Sequence, residues 1–231
     1  MLFVNSLYRP DPRGRMASSV FSANRYGNYE KMFKSPRQPR TGPQLLIRMM
    51  FTVLAKAWGA ALTDIQRLGW EALTNRHPIT KGDKTYILAA NALYLQTNQN
   101  LATIGEARLD NAPTNFALVG YASAMSVDVV TTPGTEDIKL NISPAIGAGQ
   151  KVVVTSTGIV NPGAKPNFSK AKIIAILDHT FESGDSIKTG YQNIFGTLPA
   201  TGAKVGFTTK FITIADGQAG PEQVTTSIGT V

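Results

Sequence analysis

The sequence predicts an α+β protein: an extended N-terminal arm, a small three-helix unit and a C-terminal immunoglobulin- or fibronectin-like antiparallel β-sandwich. Three observations predict it. The net charge of +8 is concentrated at one end, because residues 1–50 hold nine basic groups against two acidic ones. An apolar period of three to four residues begins at Pro43 and ends near Gly105. Beyond Gly105 the chain turns rich in β-branched residues broken by Gly, Pro and Asn. The boundaries are therefore placed at 1–42 for the arm, 43–105 for the helical unit and 106–231 for the β-domain.

The arm has no helical period, and Pro10, Pro12, Pro36 and Pro39 punctuate it. Proline holds itself and its predecessor in extended backbone. Ser18–Phe33 reads as a hairpin, with Asn24, Gly27 and Asn28 as its turn-competent residues. An isolated hairpin is marginal in water, so partners are expected to order the arm.

In the helical unit, Thr41 or Gly42 caps and Pro43 opens a first helix. Leu46, Met49, Met50, Val53, Leu54, Ala57 and Trp58 fall on its apolar stripe. Thr63-Asp64-Ile65-Gln66 is a capping box that starts a second helix. Asn75–Asp83 reads as a loop, and a third helix is expected from about Lys84 to Asn100, with Tyr86, Ala89, Ala90, Leu93 and Tyr94 inward. Trp58 and Trp70, at helical spacing among Leu and Ala, read as structural core anchors that meet the third helix.

The strand candidates are Val127–Val130, Ile138–Ile142, Lys151–Thr155, Lys172–Leu177, Lys204–Thr213 and Glu222–Ile228. Several alternate with a period near two, as a half-buried strand does. Roughly seven short strands with a turn about every ten residues imply a sandwich.

Two stretches carry a resemblance. One runs through Phe21–Tyr29, Pro36–Gln44 and Ala57–Trp70 and ends at Ala89-Ala90-Asn91; the other is Tyr191–Gly196 with Lys204-Val205. Together they resemble a group of phage and prophage virion-associated proteins. In that group a basic, hairpin-like arm precedes a Trp-containing helical hairpin and a C-terminal fibronectin-like domain. The resemblance spans about Phe21 to the end. It implies a structural or accessory role in a virion, and it supplies no catalytic residue and no position in the particle. The sequence departs from the group at Pro36-Arg37-Gln38-Pro39, where an Asn-Pro pair is expected.

No catalytic or cofactor-binding constellation emerges from the residues. With no cysteine there is neither thiolate chemistry nor a disulfide. His77 and His179 have no second His or carboxylate cluster at metal spacing and read as surface or hydrogen-bonding residues. Asp178-His179 is adjacency, not triad geometry. Glu136-Asp137 reads as a solvated turn, and Ala145–Lys151 reads as a β-turn because it lacks phosphate-loop spacing. The chain is therefore expected to be no enzyme and to need no cofactor or metal. The apolar run Leu45–Leu62 is broken by Arg48 and Lys56, so no membrane partner is expected; nor does the N-terminus read as a signal peptide.

Two readings of the arm stand side by side. Arg25, Tyr26, Tyr29, Lys31, Lys34, Arg37 and Arg40 interleave basic and aromatic groups, as phosphate-tracking segments do. The same residues suit an extended segment laid across a neighbouring protein, with Arg37 and Arg40 pairing carboxylates. The interspersed Pro and Gly favour the second. The expectation is a structural component of a bacteriophage virion, a capsid decoration or tail or neck accessory protein, made in the host cytoplasm. Its partners would be other virion proteins and further copies of itself, with nucleic acid the second choice.

Overall fold

The computed structural model describes residues 14–16, 19–24, 27–34, 41–81, 84–114, 116, 119, 124–161 and 163–230. It contains both helices and antiparallel sheets, so the α+β class holds. The chain divides into two compact units, residues 1–46 and residues 47–231.

In the first unit, strands β1 (Gly14–Met16), β2 (Ser19–Asn24) and β3 (Gly27–Met32) form a three-stranded antiparallel sheet. The expected hairpin is the β2–β3 pair, in which Asn24 stands opposite Gly27 across a two-residue connection. Strand β1 adds to β2 with Gly14 opposite Phe21; the sequence carried no signal for it. The N-terminal region is thus a small sheet over these residues rather than a single extended strand.

Helix α1 (Gly42–Lys56) runs across the division and ends in one π-helical turn, Ala57–Ala61. Helix α2 (Asp64–Arg76) starts at the expected capping box: the Gln66 side chain accepts from the Thr63 N–H at 2.8 Å, and Thr63 Oγ1 accepts from the Gln66 N–H at 3.3 Å. Residues read as a loop and as the start of the third helix instead form a short hairpin of β4 (Ile79–Lys81) and β5 (Lys84–Tyr86). Helix α3 begins later than expected, at Ala90, and runs to Thr103. Thr85 and Tyr86 favour strand over helix.

The helices enclose Ala57, Leu62, Trp70, Leu73, Leu93 and Tyr94. The segment after α3 closes over them. Buried Asn98 reads its backbone, accepting from the Leu109 N–H at 2.7 Å and donating to the Leu109 carbonyl at 3.1 Å. The Trp70 indole N–H donates to the Asp110 carbonyl at 3.0 Å, so the buried ring leaves no orphan donor.

The β-domain contains β6 (Ala124–Val130), β7 (Asp137–Ser143), β8 (Gln150–Val160), β9 (Lys172–Leu177), helix α4 (Lys188–Phe195), β10 (Lys204–Thr213) and β11 (Gln223–Ile228). Strands β6 and β7 pair as a hairpin, and the other four form an antiparallel sheet in the order β11-β10-β8-β9. The hairpin and the sheet share one core, built on Val127, Val129, Ile138 and Leu140 from one side and Val152, Val154, Phe207 and Phe211 from the other.

Parts of the edges of β6, β7 and β9 are covered. Along β7, Leu140 and Ile138 exchange backbone hydrogen bonds with Gly184, Asp185 and Ile187. Beside β6, Thr230 donates to the Val129 carbonyl and accepts from the Thr131 N–H. Helix α4 lies so close to β9 that a Cβ on Gly190 would overlap the Ile174 carbonyl, so only glycine fits there. The two-residue period expected for β10 gives way to burial on both faces. Its second face is covered by α3, because Leu101 and Ile104 pack on Val153 and Ile212. Lys151 fastens the same junction, donating to the Ile104 carbonyl at 3.2 Å and pairing with Glu106 at 2.6 Å.

Candidate assembly surface

Seen as a helical wheel, α1 places Gln44, Arg48, Thr52 and Lys56 on one row, each four residues from the last. These polar groups take up about a third of the circumference at 100° per residue. Apolar residues fill nearly all the rest. A helix that packs on a single core needs an apolar stripe only about 100° wide. Helix α1 is therefore apolar over far more of its surface than one contact uses.

The structure uses only its C-terminal end. Leu54 and Ala57 are buried, whereas Leu45, Leu46, Ile47, Met49, Phe51 and Val53 are all exposed. Ile47 and Leu54 lie seven residues apart on one row, yet Leu54 is 6% accessible and Ile47 56%. The row that docks α1 thus continues past the core with exposed side chains. Each of the six exposed side chains is 47–64% accessible. Ile65 and Leu68 on α2 are exposed as well.

The bend after α1 is held by one side chain. A π-helical turn leaves carbonyls without their usual i+4 partner. Arg67 supplies donors to two of them, from Nε to the Trp58 carbonyl at 3.0 Å and from Nη2 to the Gly59 carbonyl at 2.9 Å. Its third nitrogen pairs with Asp64 at 2.7 Å. The sequence analysis did not single out Arg67. A basic residue four positions after the Thr63 cap, beside a Gly-containing break, is the signal that was there to read.

The expected arm residues fall into two groups. Tyr29 is half-buried in β3, and Lys31 and Lys34 are exposed. Arg25, Tyr26, Arg37 and Arg40 lie outside the described residues. Trp70 is fully buried, edge-on to Tyr94 with centroids 5.4 Å apart. Trp58 lies tilted against Tyr94 at 5.3 Å and is only partly buried. The ring both tryptophans meet is Tyr94, on the third helix as expected.

His77 closes α2 and lies against Phe116, with ring centroids 4.9 Å apart. His179 is exposed beside Asp178, whose carboxylate accepts from the Thr180 hydroxyl and N–H and is held below its ordinary range chiefly by those bonds. Asp137 accepts from the Ser186 hydroxyl, and the adjoining depression around Glu136, Lys188 and Gln192 has a volume of about 490 Å³. Lys188 donates there to the Glu136 carbonyl at 2.6 Å. Among the described residues no group of three or more His, Asp or Glu is placed to hold a metal ion. No single described helix is long and apolar enough to cross a membrane. No family model, curated protein or solved structure matches the chain.

Proposed function

We propose that this chain is a non-enzymatic structural component of a bacteriophage virion, a capsid decoration or a tail or neck accessory protein. It assembles with neighbouring subunits through its basic N-terminal region and α1. Its β-domain, an immunoglobulin- or fibronectin-like sandwich in this reading, is displayed or bridges to another component. The observation that carries the reading is the uncovered apolar length of α1. Large apolar side chains gathered on one exposed helix often mark an interaction site. The resemblance of the arm and Trp-containing hairpin to phage virion-associated proteins supplies the setting.

Complementation tests this. A chain lacking residues 1–41 keeps α1 and everything after it. It is expected to be folded and soluble, yet to be incorporated into particles at no more than about a tenth of the full-length level. Normal incorporation of the truncated chain would remove the arm from the interface.

A second reading rests on the charge. Most of the +8 lies in residues 1–50, and Lys31 and Lys34 are exposed, as phosphate contacts would need. In that reading the chain is a nucleic-acid-binding phage accessory protein.

A further inference from the structure

We infer that the outer edge of β3 pairs with the same edge of a second copy of this chain, antiparallel and centred on Met32, so that Glu30 of each copy faces Lys34 of the other. This names the partner of the N-terminal region in the assembly proposed above. It rests on that reading only for the region's role as an interface.

Strand β3 has β2 on one side and, among the described residues, no strand on the other. The hairpin connection sets which backbone groups that edge offers. A two-residue loop closes on a hydrogen-bonded pair, here Asn24 and Gly27, and such pairs then alternate along the ladder. Tyr29 and Lys31 therefore bond Ser22 and Val20, while Asn28, Glu30 and Met32 turn their N–H and C=O groups outward. A row of such groups is a template for another strand. The sheet also lacks an interior. Among the described residues of 1–46 none is buried, and Met32 is 74% accessible. A short sheet of this kind is marginal in water, and joining a second sheet doubles its strands and satisfies the open edge.

Charge selects both the partner and the register. A two-fold antiparallel pair sets one residue opposite itself. Centring it on Glu30 or Lys31 would place like charges directly opposite, which destabilises a strand pair. Centring it on Tyr29 would leave Lys31 opposite Gly27. Centred on Met32, the pairing runs two residues past the end of β3 and sets Glu30 opposite Lys34 on each side of the axis. Lys34 continues the outward alternation of Glu30 and Met32, so the three positions bond across the edge. Neither Glu30 nor Lys34 forms an ion pair within its own chain among the described residues, and Lys34 is exposed. A uniformly acidic partner strand would meet Lys34 but repel Glu30. The chain's own edge satisfies both.

Sedimentation of the full-length chain at micromolar concentration and moderate salt tests the inference. The expected species is a dimer. Glu30→Lys and Lys34→Glu should each weaken it about tenfold or more, because each sets like charges opposite on both sides of the axis. Mixed in equal amounts, the two variants should dimerise again, since every Lys then faces a Glu. That recovery also shows that neither substitution unfolds the sheet. The amides of Glu30, Met32 and Lys34 should exchange more slowly in the dimer than in either variant alone. A monomeric wild type overturns the inference, including one whose β3 amides become protected only in assembled particles, which would assign the edge to another protein. A dimer indifferent to both reversals, or one that mixing does not restore, also overturns it. A monomer incorporated into particles sinks this pairing alone, whereas a dimer with the expected charge pattern that is never found in particles sinks only the virion reading.

Discussion

Two aromatic residues show how differently one residue type is used. Trp70 is enclosed and its N–H is satisfied, while Trp58 is only partly buried. Trp70→Ala is expected to lower stability by about 3–5 kcal/mol, and Trp58→Ala by clearly less. Thermal unfolding of the two variants checks the order. Tyr191 is a third case. Its ring sits among Ile138, Leu140, Val205 and Phe207, and its buried hydroxyl finds no partner among the described residues. Burial raises its pKa to about 12. The unfolded phenol titrates near 10, so between these values the unfolded state holds fewer protons. Stability from this group is complete below pH ~10 and is lost as the pH climbs toward ~12. Tyr191→Phe should remove that alkaline loss and, by deleting an unpaired buried hydroxyl, leave stability unchanged or raised by about 1 kcal/mol. Denaturant melts of both proteins at neutral and alkaline pH decide it; an identical alkaline loss in the variant would assign the effect elsewhere.

At the scale of elements, the bend between α1 and α2 determines where the exposed helix points. The Thr63 cap was legible because it depends on groups three residues apart. The Arg67 clasp was not, because its acceptors become free only once the π-helical turn has formed. Arg67→Met keeps the side-chain length but leaves two carbonyls without their donor. It should cost about 1–3 kcal/mol and loosen the bend, whereas Arg67→Lys recovers part of that loss because one ammonium cannot match the planar fork. Chemical denaturation with Trp fluorescence as the probe reads both. Strand positions were legible for a similar local reason. Lys172–Leu177 and Lys204–Thr213 coincide with β9 and β10, their β-branched runs being cut by turn residues on both sides. Helix α4 escaped notice because it is short and closes a gap beside β9, and its Gly190 is poor for helix but required for contact.

Across the whole molecule, charge and apolar surface are segregated. The basic excess lies at the N-terminal end, and among the described residues the largest run of exposed apolar side chains follows on α1. Assembly through α1 and phosphate binding through the arm respond oppositely to salt. Apolar association holds or strengthens with salt, while nucleic-acid affinity falls with a log–log slope of about −0.9 per neutralised phosphate. Binding to duplex and single-stranded DNA is expected to be weak and to vanish near physiological salt. Tight binding there would promote the second reading over the first.

By itself, the sequence determined the α+β class, the capped helical hairpin, six strands and the uneven charge. Each of these is written in spacings of a few residues, where backbone geometry acts directly. Only the tertiary structure decided that β10 is buried on both faces, that β4 and β5 pair and that Asn98 holds the chain after α3. It also decided that α1 runs past its core. An apolar period shows that a helix has a face to bury, but not how far the neighbouring core extends to meet it. The Leu, Met and Val of the stripe read as interior along all of α1 until the packing of Leu54 and Ala57 showed where the interior stops.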